Sequence, residues 1–577
     1  MRTDESSMAR SGTPTARMTA DATGRDGAPA VRDDFAQARW AAVALLALHA
    51  VLAWLGREPG ILTRQDDVRY LVLARSLRAG SFQDLMWPGA PLHHMYPPGF
   101  PALLAVWTAI GGEGFDWLII LQVALWVATL ALTFLAAHRA LGPRLATAAL
   151  LALAANASLL DSAGKVASEG ALALCLAVAL WASVCLPRGR QQVAIIAVAA
   201  ICAPLMRSAG IALPAAVVAH WLLERRYRDA TIVAVTSGIV VTALLWWTLS
   251  DPMTVAGSSY AADLMVSTQS SDPVSVSGRG AAGPVVELLQ RLRANALYYP
   301  TQGIPSMLGI PTIPGTIVDN LIIVAVVVIG LGVGLWRTLV RYRLLALVFL
   351  ANGALLLVWP YQSPRYLEPL LPVVLCVMLT GIAHVVSRAG ERAVNAVLAV
   401  ATLMLVGSSV PAQSAKLSVR LHCARDRVMP DAACVSADQA SFFAASAHVR
   451  DSLPPTARTL SAKSEPLYLY SGKLTLPLAP LARRDSATFW RSLRAASVEF
   501  VLLGGLQVFE LPYLAPHLRA RCRDLELVAT FPPRTYLFRW PGATGADGAG
   551  PSHTPGPASD NEACVAIDRY LTPSAPL

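Results

Sequence analysis

The chain of 577 residues is 55% hydrophobic and only 15% charged, a composition that excludes an ordinary soluble globular protein. Its formal net charge of +10 does not indicate a nucleic-acid partner, because most of the arginines lie where short loops meet apolar segments. Long apolar runs recur at lengths that cross a hydrocarbon core of about 30 Å. The sequence therefore predicts a polytopic α-helical membrane protein.

The N-terminal residues 1–38 mix Ser, Thr, Gly, Asp and Arg without periodicity, and they lack the basic-then-apolar layout of a cleaved signal peptide. We predict a disordered cytoplasmic tail there. A transmembrane module follows at 39–411, with spans near residues 39–56, 116–138, 144–160, 169–186, 230–249, 317–337, 343–359, 366–386 and 393–411.

The segment 193–223 is long for one membrane span and short for two, and Pro204, Arg207 and Gly210 interrupt it. We interpret it as two short helices that meet at a break, which brings the predicted total to about eleven spans. Irregular backbone at membrane depth is tolerated where protein or a wet cavity surrounds it.

The distribution of basic residues sets the predicted orientation. With the N-terminus in the cytoplasm, the short outward loops carry only Lys165 and Arg365, and the inward loops carry twelve arginines: Arg139, Arg144, Arg188, Arg190, Arg225, Arg226, Arg228, Arg337, Arg341, Arg343, Arg388 and Arg392. This asymmetry fits the positive-inside rule. Residues 57–115, residues 250–316 and the chain from 412 onward then face outward from the cytoplasmic membrane.

The first outward loop, 57–115, is predicted to hold a short helix over 67–79 that ends at Gly80, and then an apolar run at 101–110. That run is too short to span a bilayer, so we expect an interfacial or re-entrant segment. The second outward loop, 250–316, is rich in Ser, Gly and Pro, with one predicted helix at 284–298. It is either a mobile lid over an outer cavity or a passive surface loop.

The chain after the last span changes character. Residues 412–540 alternate predicted helices and short strands and close on a hairpin, which indicates a small extracytoplasmic α/β domain. The Gly/Pro/Ala-rich residues 541–577 are expected to be loose. Four cysteines lie in this region and allow three disulfide pairings, of which sequence proximity favours Cys423–Cys434 with Cys522–Cys564.

Charged groups near the outer face are the candidates for chemistry, because a charge at membrane depth is costly. They are Asp66, Asp67, Arg69, His93, His94, Asp161, Lys165, Glu169, Arg207, Arg365 and Glu368. The set offers carboxylates that can take a proton and cations that can hold a phosphate. The sequence has no Gly-rich nucleotide-binding motif after a strand, so a sugar donor on the outer face would have to arrive attached to a lipid.

Structural interpretations compete with these roles. Asp66 and Asp67 suit a helix N-terminus, where acidic residues are favoured without any catalytic role. His93 and His94 can be ordinary loop residues, and Arg365 can be an interface anchor whose charge reaches the headgroups.

Two segments resemble motifs of the membrane-embedded GT-C glycosyltransferases, especially the relatives of protein mannosyltransferases and lipid A aminoarabinose transferases. They are "QDDVRYLVLARSL" at 65–77 and "YPPGFPALL" at 96–104. Weaker matches are "KVASEGALALCLAVAL", "APLMRSAGIAL" and "SPRYLEPLLPVVL". The resemblance covers about residues 39–411.

The resemblance implies roles for these residues. Asp66 would be the catalytic carboxylate, although Asp67 stands where the family has Glu, so which aspartate is the base stays open. Tyr96 stands where the aminoarabinose branch often has a lysine. The expected contacts to the donor phosphate are Arg69, Tyr70, His93, His94, Lys165, Arg207 and Arg365, with Glu169 and Tyr96 in acceptor or structural roles.

The sequence thus predicts an inverting membrane glycosyltransferase. It would move a sugar from a polyprenyl-phosphate donor to a hydroxyl of a lipid, glycan or protein acceptor on the outer face. No cofactor is assigned, and a divalent cation (Mg²⁺ or Mn²⁺) stays open. The alternatives are a multi-span transporter or lipid flippase, or a non-catalytic envelope scaffold. The enzyme is favoured because the halves show no inverted repeat and the charges concentrate near the outer face.

Overall fold

The computed structural model of the protein describes residues 29–57, 65–250, 284–310, 320–422, 434–478, 481, 484–504, 506, 510–544 and 561–572. These residues form a helical membrane module and a smaller domain built on one five-stranded sheet.

Sixteen helices can be traced in the described part of the membrane module. They are α1 (Pro29–Leu55), α2 (Gln65–Arg78), α3 (Gly99–Gly111), α4 (Phe115–Leu141), α5 (Pro143–Ala154), α6 (Ala157–Ala163), α7 (Glu169–Cys185), α8 (Arg190–Met206), α9 (Ala212–Leu223), α10 (Tyr227–Leu249), α11 (Pro284–Tyr298), α12 (Ile304–Met307), α13 (Leu321–Arg341), α14 (Arg343–Val358), α15 (Leu371–Val386) and α16 (Glu391–His422).

Five helical segments are long and apolar enough to cross a membrane: Phe115–Leu141, Tyr227–Leu249, Leu321–Arg341, Pro364–Ala389 and Glu391–Ser418. The pair α5 and α6, bent by 61°, makes a sixth if it counts as one broken span. Six shorter apolar helices lie at Arg39–Leu55, Gly99–Gly111, Glu169–Cys185, Arg190–Met206, Ser208–Leu223 and Arg343–Val358. The polytopic helical architecture is confirmed, and the count of about eleven spans stays a prediction.

The predicted break near residue 207 is confirmed. Helix α8 ends at Met206, Arg207 is fully extended (φ −157°, ψ 142°), and a 3₁₀ turn at Ser208–Ile211 leads into α9. A side chain at Gly210 would place its Cβ 2.1 Å from the carbonyl oxygen of Ala203, so only glycine fits this close return of the chain. Arg207 therefore lies at a break between two helices and not within a continuous helix.

Several helix boundaries differ from the predictions. Helix α1 begins at Pro29, so residues 29–38 of the predicted disordered tail are helical, while 1–28 lie outside the described residues. Helix α16 continues to His422, eleven residues past the predicted end of the last span. The predicted helix at 284–298 is confirmed as α11. Residues 251–283 and 311–316 of the second predicted outward loop lie outside the described residues, so the choice between a lid and a passive surface loop is not tested.

The C-terminal domain follows the predicted order of elements. It contains α17 (Ala437–Ser452), β1 (Thr459–Ser461), α18 (Ser464–Ser471), β2 (Thr475–Pro477), α19 (Ser486–Ala495), β3 (Phe500–Leu503), α20 (Glu510–Tyr513), α21 (Ala515–Ala520), β4 (Glu526–Phe531), β5 (Thr535–Arg539) and α22 (Glu562–Leu571). The sheet order is β2-β1-β3-β5-β4, with β1 parallel to β2 and β3 and with β5 antiparallel to β3 and β4.

The expectation that residues 541–577 are loose is wrong for 562–571. Helix α22 is capped by Asn561, and Ala563, Ile567 and Tyr570 are buried in the core of the domain. The predicted Cys522–Cys564 disulfide ties this helix to the turn before β4. The other favoured pair, Cys423–Cys434, involves Cys423, which lies outside the described residues.

The C-terminal domain packs directly against the segment that carries α2 and α3. Helix α18 contributes Tyr468 and Leu469 to a hydrophobic cluster with α2 and α3, which includes Leu71 and Phe100. Two regions predicted from separate parts of the sequence to face outward are therefore in contact, and they share one core.

Candidate functional site

A cavity of about 410 Å³ is lined by the start of α2, the segment before α3, the break between α8 and α9, the segment 359–370, and helices α7, α10 and α14. Its polar end is formed by Asp66, Tyr70, Tyr96, Arg207 and Arg365. Its remaining wall is largely apolar and includes Leu172, Ile211, Leu245, Leu355, Leu356, Trp359 and Leu370. A polar end on an apolar wall is the usual form of a site for an amphipathic ligand.

Asp66 lies at the polar end, in the first turn of α2. One carboxylate oxygen accepts a hydrogen bond from the Tyr96 hydroxyl at 2.6 Å, and the other accepts from Nη1 of Arg365 at 2.9 Å. Asp66 and Arg365 are 299 residues apart in the sequence. Asp66 thus faces the cavity while two neighbours fix its orientation.

Arg365 also joins Asp66 to Glu169. Its Nε lies 2.7 Å from Oε1 of Glu169, and Nη1 of Arg207 lies 2.9 Å from the same oxygen. The Glu169 side chain is fully buried. A carboxylate in this position is stabilised only by such pairing, because an unpaired buried charge is costly. Glu169 therefore holds both guanidinium groups at the end of the cavity.

Local structure explains how these groups converge. Ser363 is extended and Pro364 starts a 3₁₀ helix at Pro364–Leu370, which puts Arg365 in its first turn. Glu169 is the first residue of α7. The hydroxyl of the preceding Ser168 accepts from Arg207 at 3.0 Å and lies 3.0 Å from the Tyr70 hydroxyl. The start of α7 therefore contacts both Arg207, from the α8–α9 break, and Tyr70, from α2.

The electrostatics keep Asp66 ionised. Burial by itself would raise the pKa of this carboxyl, but Arg365, the Tyr96 hydrogen bond and Arg207 outweigh it, so the pKa lies below its ordinary value. At neutral pH Asp66 is an anion that can accept a proton. Asp67 points elsewhere: it is 1% exposed and does not line the cavity.

Arg69 does not lie in the cavity. It pairs with Glu465 of α18, a side chain that is 2% exposed, and its guanidinium lies 5.8 Å from the ring of Tyr96. Its neighbour Tyr70 does line the cavity and packs 5.0 Å from Tyr96. Arg69 thus docks the C-terminal domain on α2, and its contact with the donor phosphate stays a prediction.

The two histidines are held by other partners. Nδ1 of His93 lies 2.9 Å from Asp84, and its Nε2 accepts the backbone N–H of Tyr96 at 2.7 Å. Burial lowers the pKa of His93, so the neutral ring fits both contacts. His94 places Nδ1 2.7 Å from the carbonyl of Trp247. Both rings support the walls of the site, and neither lines the cavity.

Lys165 is also outside the cavity. It pairs with Asp161 one helical turn earlier, and Asp161 pairs in turn with Lys416 of α16. The Lys165 side chain is 5% exposed. The Asp161–Lys416 pair joins α6 to α16, and the contact of Lys165 with the donor phosphate stays a prediction.

Some lining residues escaped the sequence analysis. Trp359, Tyr361, Ser363 and Tyr366 lie together on the cavity, and Asn352 lines it from α14. The run "WPYQSPRY" at 359–366 concentrates aromatic and polar residues between two apolar helices, and this local signal could have identified them.

The residues do not fit a bound divalent cation. Within the described ranges no group of three or more His, Cys, Asp or Glu side chains is arranged to hold a metal ion. Arg365 occupies the space beside Asp66 and Glu169 that a cation would need.

Several solved structures are similar to this chain. ArnT from Cupriavidus metallidurans, bound to undecaprenyl phosphate, matches with 16% identity and a TM-score of 0.48, over 86% of this chain and 97% of that one. The Archaeoglobus fulgidus oligosaccharyltransferase tethered with an acceptor peptide matches with 11% identity and a TM-score of 0.49, over 80% and 68%. Arabinofuranosyltransferase AftD from Mycobacteria matches with 17% identity and a TM-score of 0.41, over 87% of this chain and 40% of that one.

All three are GT-C glycosyltransferases, the class that the sequence motifs resemble. No protein-family profile matches the chain, and no curated protein matches it in sequence. At identities below 25% and TM-scores below 0.5, these similarities are distant. The function is therefore inferred from the geometry of the chain itself.

Proposed function

We propose that the protein is a membrane glycosyltransferase that uses a polyprenyl-phosphate sugar as donor and a hydroxyl-bearing molecule as acceptor. One observation carries the proposal: an ionised carboxylate, Asp66, meets two arginines, Arg207 and Arg365, at the polar end of a largely apolar cavity. The carboxylate and the cations lie together at one end of a largely apolar pocket, an arrangement that suits proton abstraction beside a bound phosphate.

The cavity suits the donor in both of its parts. The apolar wall around Leu245, Leu355 and Leu356 can hold isoprenoid units, and the polar end can hold the phosphate. Nη2 of Arg365 is buried and has no hydrogen-bond partner among the described residues. A phosphate oxygen would satisfy this donor, and guanidinium groups bind phosphate well.

Asp66 is placed to activate the acceptor. The acceptor hydroxyl would donate its proton to Asp66 while its oxygen forms a bond to the anomeric carbon of the sugar. The bond between that carbon and the phosphate oxygen breaks, and the polyprenyl phosphate leaves as an anion that Arg207 and Arg365 stabilise. A single displacement of this kind inverts the anomeric centre.

The outer face of the cytoplasmic membrane is the proposed location. The positive-inside pattern assigns α2 and the C-terminal domain to that side. The Cys522–Cys564 disulfide supports the assignment, because disulfides persist in extracytoplasmic compartments and are rare in the cytosol.

The test is a transfer assay on the full chain in lipid nanodiscs. Radiolabelled sugars on undecaprenyl phosphate, the ligand of the ArnT structure, are offered with a cell-envelope extract as acceptor. The proposal requires release of undecaprenyl phosphate and an equal gain of label in the acceptor. Folded protein that transfers no sugar from any donor, but moves the lipid across proteoliposomes, would overturn it in favour of a flippase.

A further inference from the structure

We propose that Glu465, in helix α18 of the C-terminal domain, is a positioning residue for the transfer at Asp66. It acts through two side chains: it fixes the guanidinium of Arg69, and Arg69 lies against the ring of Tyr96, whose hydroxyl orients Asp66. The inference rests on the proposed function and gives the C-terminal domain a part in it. Glu465 does not line the cavity, so it touches no reacting atom and is not a catalytic residue.

The ion pair between Glu465 and Arg69 is buried on both sides. The Glu465 side chain is 2% exposed, and the Arg69 side chain is 11% exposed. The second carboxylate oxygen of Glu465 accepts a hydrogen bond from the Ser464 hydroxyl at 2.8 Å, which fixes the carboxylate on the first turn of α18. Loss of one partner from a buried pair leaves an uncompensated charge, so each of these two side chains strongly constrains the other.

The guanidinium of Arg69 contacts the loop that follows α2. Its central carbon lies 5.5 Å from the ring centroid of Trp87 and 5.8 Å from the ring centroid of Tyr96, and its Nη1 lies 3.5 Å from the sulfur of Met95. Cation–π contacts are strongest where the cation is desolvated, as it is in this buried pair. Glu465 therefore determines where a cation meets the ring of Tyr96.

The position of the Tyr96 ring sets the position of its hydroxyl. Tyr70 packs 5.0 Å from the ring, the His93 ring stacks on it at 5.5 Å, and Arg69 supplies the charged contact. The hydroxyl donates to a carboxylate oxygen of Asp66 at 2.6 Å. A displaced ring would move this hydrogen bond, and small misplacements of a reacting group are costly in rate.

Other contacts hold the C-terminal domain in place when the ion pair is altered. The backbone N–H of Thr475 donates to the carbonyl of Met86 at 2.9 Å. Tyr468 and Leu469 pack into the hydrophobic cluster that α2 and α3 share. Glu465 can therefore be replaced while the rest of the interface is kept, and the effect on Tyr96 can be measured in the docked protein.

A double-mutant cycle on the full chain in nanodiscs tests the route from Glu465 to Asp66. Glu465→Gln should lower kcat about tenfold or more, the usual effect of losing one hydrogen bond to a charged group, and should leave the donor KM nearly unchanged. Tyr96→Phe should cost a similar factor. In the Tyr96→Phe background, Glu465→Gln should have no further effect, because both changes break the same link. Equal factors in the two backgrounds would show a general structural role and would overturn the inference.

Glu113→Gln is the matched control. Glu113 pairs at 2.6 Å with Arg75, which lies further along α2 than Arg69. The control thus removes a carboxylate that also pairs with an arginine of α2, and kcat should stay at the wild-type value. If Glu113→Gln lowers kcat as much as Glu465→Gln does, the loss of any ion pair on α2 is sufficient and the inference fails.

A fluorine label makes the test independent of turnover. 3-Fluorotyrosine placed at position 96 gives a single ¹⁹F signal, which Glu465→Gln should shift or broaden and Glu113→Gln should not. Wild-type protein that transfers no sugar would contradict the proposed function, yet the link from Glu465 to residue 96 would still be measured. An unchanged ¹⁹F signal in Glu465→Gln overturns the inference even in an active enzyme.

A variant without either charge covers the case in which Glu465→Gln does not fold. Replacing both partners, with Arg69→Met and Glu465→Met, avoids an unpaired buried charge and often preserves stability. This variant should fold, shift the ¹⁹F signal of residue 96 and lose about the same factor in kcat. Wild-type kcat in the folded double variant would overturn the inference.

Discussion

Replacement of Asp66 by asparagine isolates the proposed proton transfer from binding. The amide keeps an oxygen that can accept from the Tyr96 hydroxyl, now 2.6 Å away, and it has nearly the same shape as the carboxylate. It cannot take a proton from the acceptor. General base catalysis typically contributes about 10²–10⁴-fold in rate, so kcat should fall by that factor, or roughly 3–5 kcal/mol in barrier height.

Donor binding should respond differently from turnover. The substitution removes the negative charge 2.9 Å from Nη1 of Arg365, so this guanidinium becomes more available to a phosphate. The affinity for undecaprenyl phosphate should therefore hold or increase while kcat collapses. Tryptophan fluorescence can follow the binding, and the Trp359→Phe variant identifies the signal of the residue that lines the cavity among the 14 tryptophans.

Two controls accompany this measurement. Asp116→Asn removes a carboxylate that also pairs with an arginine, Arg57, at 2.7 Å but lies outside the cavity, and it should leave kcat unchanged. Asp67→Asn should cost much less than Asp66→Asn, because Asp67 does not line the cavity. Turnover of Asp66→Asn within threefold of wild type, in folded protein, would refute the assignment of the base.

The pH profile gives an independent check. The pKa of Asp66 lies below its ordinary value of 3.8, so the carboxylate is ionised throughout the range from pH 5 to pH 8. We expect no acid limb in kcat from this group in that range. An acid limb centred near neutral pH that disappears in Asp66→Asn would show that the electrostatics described for the site are wrong.

Three further predictions concern the phosphate site and the C-terminal domain. Arg207→Met should raise the KM for the donor about tenfold or more, whereas Arg139→Met, in the last turn of α4, should not; equal effects would argue against phosphate binding by Arg207. Burial raises the pKa of Glu510 to about 8 from an ordinary 4.5, so its protonated form favours folding, and stability should fall as pH rises between those values. Glu510→Gln should flatten that slope, measured by hydrogen exchange of β3 amides, and an unchanged slope would contradict the burial argument. Removing the disulfide with Cys522→Ser and Cys564→Ser should destabilise the domain by roughly 2–5 kcal/mol and free α22 for proteolysis, and protease resistance equal to wild type would show that packing alone holds it.

The sequence was sufficient where the signal is local. The helix that carries Asp66 follows from its acidic start and its apolar spacing, and the break at Arg207 follows from Pro204 and Gly210. Arg365 was identified because a charge next to an apolar span needs a partner. These features depend on a few neighbouring residues, so one sequence reveals them.

Pairing over long distances was not readable. Arg69 was assigned to the phosphate through the motif resemblance around Asp66, yet its partner Glu465 is 396 residues away. Lys165 was assigned by its charge, but it pairs with Asp161, which also pairs with Lys416 of α16, 255 residues away. Helix α22 was missed because a Gly/Pro-rich segment precedes it and hides a short amphipathic pattern.

The wide separation of the paired residues also has a consequence for biosynthesis. Asp66 enters the membrane with the first helices, but Arg365 is made 299 residues later, and Glu465 later still. A partly inserted chain therefore has the carboxylate without the arginine that orients it and without the domain that covers α2. The polar end of the cavity is completed only late in synthesis, so a nascent chain has no competent site to expose to the lipid pool.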